Sequence, residues 1–264
     1  MLHGRAEALG SGLARLEAVT KAHDVEFVLV GGDAGAAPAD VDVAIVLGGD
    51  GTMLRALHRF LGTGIPVIGV NFGRVGFLSS IPRDELEQGV ARVLTGELEV
   101  VELATLDVEA DGKRFIAVND AVVASGELGR MVELEWSVRA ENFGRVPCDG
   151  LICSTPSGST AYNLSNGGPV LMWGLDAMAL TFVAPHDLRA RPFVVPRGHD
   201  LHVWNRTADV GCAVLVDGHR VADAGPGARV AVRLGEKRSL LGTLPEATFV
   251  RRYRQSFGNT PPLP

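Results

Sequence analysis

Residues 41–52 read Val-Asp-Val-Ala-Ile-Val-Leu-Gly-Gly-Asp-Gly-Thr, an apolar strand, Val41 to Leu47, that stops abruptly in three glycines and a carboxylate. A helical pattern follows at once, with Leu54, Leu57 and Leu61 spaced for one face. Bare backbone at a strand-to-helix turn lets another molecule approach closely. The helix N-terminus adds free N–H groups and partial positive charge, a setting that suits phosphate. Gly48, Gly49, Gly51 and Thr52 are therefore a candidate phosphate loop. Asp50, in its middle, is electrostatically wrong there unless it holds a metal or takes a proton, and that tension points to phosphoryl transfer. The plain alternative is a tight turn whose aspartate caps the next helix. Neither G-x-x-x-x-G-K-[ST] nor G-x-G-x-x-G is present, so the loop is neither Walker-type nor a Rossmann fingerprint.

The rest of the first half keeps this alternation. Residues 5–21 read as a helix with Leu9, Leu13 and Leu16 on one side, and Val25 to Val30 as a short strand ended by Gly31-Gly32-Asp33. Ile65 to Val70 is another strand, and Pro82 to Leu94 another helix, with Ser80 as its cap and Gly96 past its end. Continuous apolar strands separated by helices predict a parallel sheet covered on both faces. After residue 98 the texture changes. Val108 to Phe115 reads as a hairpin around Asp111-Gly112, Val132, Leu134, Trp136 and Val138 alternate with polar neighbours, and short valine-rich strands recur through Val203, Val214, Val216, Val230 and Val232. The expected organisation is an α/β domain over 1–98, completed by 241–264 with an arginine-rich helix from Thr248 to Phe257, and a β-rich domain over 99–240. An α/β domain of this type usually opens with a strand. Met1 stands almost at the first helix, and a start assigned too far downstream is the favoured explanation.

Composition excludes several classes. A formal net charge of -6 over 264 residues argues against a general nucleic-acid or anionic-membrane binder. No apolar run approaches the roughly 18 residues of a membrane span, and the N-terminus has no signal-peptide core. Cys148, Cys153 and Cys212 are odd in number and lack zinc-type spacing. A cytoplasmic, reduced protein without structural metal, membrane or nucleic acid is expected.

Two further motifs carry chemistry. Five hydroxyls lie between Ser154 and Thr160, followed by Ala161-Tyr162-Asn163-Leu164-Ser165 and Asn166-Gly167-Gly168-Pro169. Such a stretch can hold ribose, phosphate or an amide, with Tyr162 offering a flat face to a base; the alternatives are a hydroxyl-rich surface loop, or a serine nucleophile without a G-x-S-x-G elbow. Asn119-Asp120 at a strand end could bond a base edge and a sugar hydroxyl, although alone it is more often a turn.

Together these motifs resemble the NAD kinase family. The resemblance rests on Gly48-Gly49-Asp50-Gly51-Thr52, Asn119-Asp120, Asp149-Gly150, the Ser154–Ser165 stretch, Pro185-His186-Asp187-Leu188 with Arg191-Pro192, and Asp217-Gly218, in family order over roughly residues 40–220. The Gly-Gly-Asp-Gly element is shared with phosphofructokinases and with diacylglycerol and sphingosine kinases; Thr-Pro-Ser-Gly-Ser-Thr-Ala-Tyr is much more specific. The resemblance implies a phosphofructokinase-like α/β N-terminal domain with a parallel sheet and flanking helices, a β-rich NAD-binding C-terminal domain, and transfer of phosphate from ATP or polyphosphate to NAD with Mg2+ or another divalent metal. It implies Asp50 as general base on the adenosine-ribose 2′-hydroxyl, Gly48, Gly49, Gly51 and Thr52 at the phosphate donor, Asn119 on the adenine edge, Asp120 on a sugar hydroxyl, Asp149 at the other end of the dinucleotide, and Thr160, Ala161, Tyr162, Asn163, Leu164 and Ser165 around the adenosine. Gly51, Arg55, Arg130, Ala184 and His219 are further implied NAD contacts, Arg55 and Arg130 being equally readable as solvated surface arginines. Homodimers or homotetramers are implied as well. Asp120 stands where many relatives have Glu, Pro147 where many have a basic residue, and His219 where Gln is common, so His219 is expected to make binding pH-sensitive. His199 and His202 read as turn residues rather than a metal pair, and His186 as structural. Two other readings stay open: a lipid or sugar kinase sharing only the Gly-Gly-Asp-Gly loop, and a catalytically silent dinucleotide-binding regulator.

Overall fold

The computed structural model describes residues 6–30, 37–38, 40–73 and 76–258, with residues 6–9 as backbone only. The side chain of Leu9 and the turn expected at Gly31-Gly32-Asp33 lie outside the described residues. The chain forms two compact units, residues 1–102 with 239–264, and residues 103–238.

The first unit starts with α1 (Ala6–Ala22), β1 (Ala44–Gly48), α2 (Asp50–Arg59), β2 (Val67–Asn71), β3 (Ile81–Pro82), α3 (Leu86–Leu94) and β4 (Glu99–Leu103). β1 and β2 pair in parallel from Ala44 opposite Val67 to Gly48 opposite Asn71, and β3 pairs in parallel with β2. Alternation along β2 separates the two faces of this sheet. Ile68 and Val70 join Leu47, Leu16 and Val19 of α1 and Leu86, Val90 and Val93 of α3 in one core. Gly69, on the other face, leaves room for Met53 of α2. β4 belongs to this sheet, which is why the unit runs past the change of sequence texture at residue 98.

Three local expectations differ from the structure. Val25 to Val30 forms no ladder among the described residues, and Val28 and Leu29 are exposed; apolar content makes a strand only where a neighbour offers N–H and C=O groups. Residues 82–94 are not one helix: the Ile81–Pro82 bridge and a 3-10 turn over Arg83–Glu85 precede α3. Ser80 caps nothing there, since its hydroxyl donates to Gly242 O at 3.3 Å and accepts from Arg252 at 2.7 Å. In α2 the buried face is Thr52, Met53, Ala56 and Leu57, while Leu54 is half-buried and Leu61 lies past the helix end.

The second unit holds β5 (Leu106–Ala110), β6 (Lys113–Ala117), β7 (Asp120–Ser125), β8 (Val132–Val138), β9 (Glu141–Cys148), β10 (Gly150–Ser154), the short α4 (Tyr162–Ser165), β11 (Ala177–Val183), β12 (Phe193–Pro196), β13 (Leu201–Asn205), β14 (Cys212–Val216), β15 (His219–Ala224) and β16 (Arg229–Leu234). They build two six-stranded antiparallel sheets in the orders β12-β11-β10-β7-β14-β15 and β6-β5-β16-β13-β8-β9. Leu106, Leu134, Trp136 and Val232 of one sheet and Leu151, Met178, Leu180 and Val214 of the other share one core. The β5–β6 hairpin turns on Asp111 and Gly112 at φ 51° and 67°, the pair of positive values an Asp-Gly hairpin turn needs.

The chain then returns to the first unit with β17 (Ser239–Thr243) and α5 (Phe249–Phe257). β17 sits between β2 and β4, in parallel with β2, so the sheet order is β1-β2-β17-β4. Thr248 caps α5 by accepting from Arg251 N at 3.3 Å. No helix among the described residues is long and apolar enough to cross a membrane.

Candidate functional site

Asp50 is the first residue of α2, preceded by Gly49 in extended conformation. The Gly49 carbonyl accepts from Thr52 N at 2.9 Å and Met53 N at 3.0 Å, and the helix has no side-chain cap. Asp50 is therefore not the capping residue of the plain reading. Its carboxylate turns to the loop after β2, where Oδ2 accepts from Phe77 N at 2.7 Å and Oδ1 from Leu78 N at 3.0 Å. A carboxylate has about four lone-pair directions, so both oxygens keep one for a further donor. A side chain at Gly76 would put its Cβ 2.5 Å from Asp50 Oδ1; only glycine lets the loop close on the carboxylate. The backbone N–H groups of Asp50 and Gly51 have no partner among the described residues, and a Cβ at Gly51 would meet nothing within 4 Å. This end of α2 is thus an open pair of donors beside a fixed carboxylate. Thr52 is buried rather than turned to that opening, and Arg55 is half-buried one turn on.

In the second unit Asp120 opens β7, with Asn119 immediately before it. The backbone N–H groups of Val118, Asn119 and Asp120 donate to the Asp217 carboxylate at 2.9, 2.8 and 3.2 Å. Asp217 lies at the β14–β15 turn with φ 49°. Ser157 Oγ donates to Asn119 Oδ1 at 3.2 Å, which fixes the amide plane of Asn119. Asp120 is 6% exposed; burial, and then the charge of Asp217, pushes its carboxyl up to about 7.

The hydroxyl stretch works mostly inward. Thr155 Oγ1 donates to Val118 O at 2.7 Å and accepts from Gly158 N, Ser159 Oγ donates to Pro156 O at 2.7 Å, and Thr160 Oγ1 donates to Ser157 O at 3.2 Å. These bonds shape the loop around Asn119, so most of its hydroxyls are engaged within the protein. A Cβ at Gly158 would lie 2.2 Å from Asn119 O, so the loop needs glycine to reach it. Asn163 is fully buried, donating to Ser159 O and Pro169 O and accepting from Thr181; its side chain holds the loop together. Ser154, Ser157 and Ser159 spend their hydroxyls on Thr155 O, Asn119 Oδ1 and Pro156 O. Burial pushes the Cys148 and Cys212 thiols up to about 12 and about 11, so neither is a ready thiolate.

Tyr162 is 47% exposed, Ala161 and Leu164 are half-buried, and Ser165, Asp149, Ala184 and His219 are exposed. Arg130 is exposed and pairs with Asp209 at 2.7 Å. Three participants escaped the sequence reading: the Phe77-Leu78 amides, the anchoring role of Asp217, and Arg252, whose guanidinium reaches the Phe77 loop. Gly73 and Gly76, three apart after an apolar strand, were the available signal for the loop; an arginine in an arginine-rich helix gives none.

A carboxylate clamped at the open N-terminus of a helix, on a parallel sheet followed in the chain by an antiparallel β unit, defines a phosphotransferase of the Gly-Gly-Asp-Gly class. Residues 20–98 match the ATP-NAD kinase N-terminal domain and residues 118–241 the ATP-NAD kinase C-terminal domain. The NAD kinase of Gemmatimonas aurantiaca is 39% identical over 83% of this chain and 78% of the relative, and that of Syntrophotalea carbinolica 33% identical over 94% and 89%. An Archaeoglobus fulgidus NAD kinase solved in complex with ATP superposes with a TM-score of 0.75 at 25% identity, covering 93% of each chain. The fold also matches yeast NADH kinase complexed with NADH, at TM-score 0.75 and 24% identity over 86% of this chain and 70% of that one. The chain belongs to the NAD kinase family. Its activity is phosphorylation of the 2′-hydroxyl of the adenosine ribose of NAD, giving NADP.

Proposed function

We propose that Asp50 is the general base of this reaction and that ATP is the phosphate donor. The observation that carries the assignment is the Asp50 carboxylate, held by two amides beside the open N–H groups of Asp50 and Gly51. The 2′-hydroxyl of the adenosine ribose gives its proton to Asp50 as its oxygen attacks the γ-phosphorus, and the bond to the leaving ADP oxygen breaks. Aligning that oxygen with the phosphorus is most of the catalytic task. Gly48, Gly49 and Gly51 line the donor phosphates with backbone. In the second unit Asn119 reads the adenine edge and Asp120 holds a sugar hydroxyl. Asp149 contacts the far end of the dinucleotide, and Thr160, Ala161, Tyr162, Leu164 and Ser165 surround the adenosine with Ala184 and His219. Arg55 and Arg130 supply positive charge toward the dinucleotide.

A divalent cation such as Mg2+ belongs to the same reading. Among the described residues no three His, Cys, Asp or Glu side chains converge on a cation position. Mg2+ is commonly held by carboxylates, water and substrate phosphates; here the donor phosphates and water would hold it, which leaves the Asp50 carboxylate to the hydroxyl. The ion supplies neutralisation of phosphate charge. The three buried, unpaired cysteines are in keeping with a reducing cytoplasm, and a homodimer or homotetramer completes the proposal.

A steady-state assay crossing ATP and polyphosphate with NAD and NADH, each with and without Mg2+, tests it. NADP formation from ATP and NAD that needs the cation is expected. Turnover with polyphosphate alone would overturn the donor assignment, and cation-independent turnover the metal.

A further inference from the structure

Arg252 lies on α5, about 200 residues from Asp50 in the sequence, yet only 4% of it is exposed. All five of its N–H donors are engaged. Nε donates to Ala247 O at 2.8 Å, Nη1 to Phe77 O at 2.8 Å and Ser79 O at 2.9 Å, and Nη2 to Ser80 Oγ and Thr243 Oγ1, both at 2.7 Å. A fully satisfied guanidinium is rigid, because each bond fixes the fork further. Burial pushes Arg252 down to about 10, opposed by the charge of Asp50, so it stays cationic at neutral pH.

The geometry of the Phe77–Ser79 loop gives that rigidity a consequence. Phe77 accepts from Arg252 through its carbonyl and donates to Asp50 through its amide; Leu78 donates to the other Asp50 oxygen, and the Ser79 carbonyl returns to Arg252. The strip is strung between a cation behind and a carboxylate in front. Hydrogen bonds in series polarise one another, so the Leu78 amide, which shares a peptide group with the Phe77 carbonyl, is strengthened by the guanidinium, and both amides are located by it. The Phe77 ring is held by the same helix, 5.3 Å from the Phe249 ring and 6.1 Å from that of Phe257. Gly76 removes the one side chain that would stand between strip and carboxylate.

We infer that Arg252 is a positioning residue for Asp50, setting through the Phe77 and Leu78 amides the direction in which the carboxylate faces the substrate hydroxyl. This rests on the assignment of Asp50 as base.

The test compares Arg252→Lys and Arg252→Met with the parent in kcat and in KM for both substrates, repeated in an Asp50→Asn background, with melting curves and the amide resonances of Phe77 and Leu78. Arg252→Met is expected to lower kcat roughly 100-fold, the scale of a misplaced reacting group, with each KM within about twofold because Arg252 is placed behind the loop rather than toward ligand. Arg252→Lys keeps the charge but only three donors, so it should recover part of the loss and still shift both amide resonances. In the Asp50→Asn background the lysine substitution should have no further effect on kcat. An equal fold-loss in both backgrounds, or a loss carried by KM, overturns the inference. Full kcat in Asp50→Asn alone removes the base assignment, while unshifted amide resonances in Arg252→Lys remove the clamp; the two failures are thereby distinct. Should Arg252→Met not fold, Arg252→Lys and Thr243→Val, which deletes one acceptor of Nη2, carry the same comparison.

Discussion

The two units solve one local problem with the same device. In the first, the Asp50 carboxylate accepts from the amides of Phe77 and Leu78; in the second, the Asp217 carboxylate accepts from Val118, Asn119 and Asp120. Each aspartate pins a distant irregular segment by its backbone, which leaves that segment's side chains free for other uses. What stands behind the pinned segment differs. Behind Phe77 is the buried guanidinium of Arg252. Beside Asn119 is Asp120, a second buried carboxyl raised to about 7 by burial and by Asp217. A cation makes the first clamp a rigid mount for a reacting group. The crowded acids of the second place beside the clamp a carboxyl whose charge changes near neutrality.

Substituting asparagine for each clamping aspartate separates these roles. Asp50→Asn is expected to lower kcat roughly 10²–10⁴-fold, the usual contribution of general-base catalysis, while circular dichroism and NAD binding stay near those of the parent. Full activity would reduce Asp50 to a structural clamp like Asp217. Gly76→Ala acts on the same carboxylate from outside. Its Cβ would arrive 2.5 Å from Oδ1, so the loop must retreat, and kcat is expected to fall roughly 100-fold for a displacement near 1 Å. Unchanged kcat in that variant would show that the aim of Asp50 does not depend on the loop.

Much of the first clamp's setting could be read from residues 41–52, because an apolar strand running into Gly-Gly-Asp-Gly leaves few conformations open. The β5–β6 hairpin was equally plain, since Asp111-Gly112 carries its turn chemistry locally. What could not be read was every partner fixed only by tertiary approach. Phe77 and Leu78 meet Asp50 through bonds that span 27 and 28 positions, and Arg252 meets Phe77 through one that spans 175; a backbone donor has no side-chain signature. The hydroxyls from Ser154 to Thr160 were visible as chemistry, but their direction was not: a serine that bonds its own loop and one that faces a ligand are spelled alike. Val25 to Val30 shows the same limit for the fold, since strand composition is local and strand pairing is not.

Asp217→Asn tests the second clamp where Asp50→Asn tests the first. An amide keeps one acceptor, so either Val118 N or the Asn119–Asp120 pair faces an NH2 group. An unsatisfied, partly buried donor costs roughly 1–3 kcal/mol, which melting curves resolve. The Asn119 side chain loses its mount as well, so KM for NAD should rise several-fold while kcat changes little. A large kcat effect with unchanged KM would place Asp217 in the chemistry and end the contrast between the two clamps.

Asp120→Asn reads the remaining difference, the acid pair itself. The folded carboxyl of Asp120 lies near 7 and its unfolded counterpart near 4, so the folded state holds the proton more tightly. The stabilising contribution of that proton is complete below pH 4 and is lost as pH rises through about 7. Asparagine resembles the protonated acid at every pH and removes the dependence. The stability of the variant relative to the parent should therefore climb between pH 5 and pH 8, by on the order of 2–3 kcal/mol, read as a rising difference in Tm. A pH-independent difference for Asp120→Asn would mean that Asp120 is already ionised at pH 5 and that Asp217 exerts no effective repulsion across the shared Asn119-Asp120 amides. The two clamps would then differ only in the cation, and the discrimination between mount and recognition element would rest on Arg252 alone.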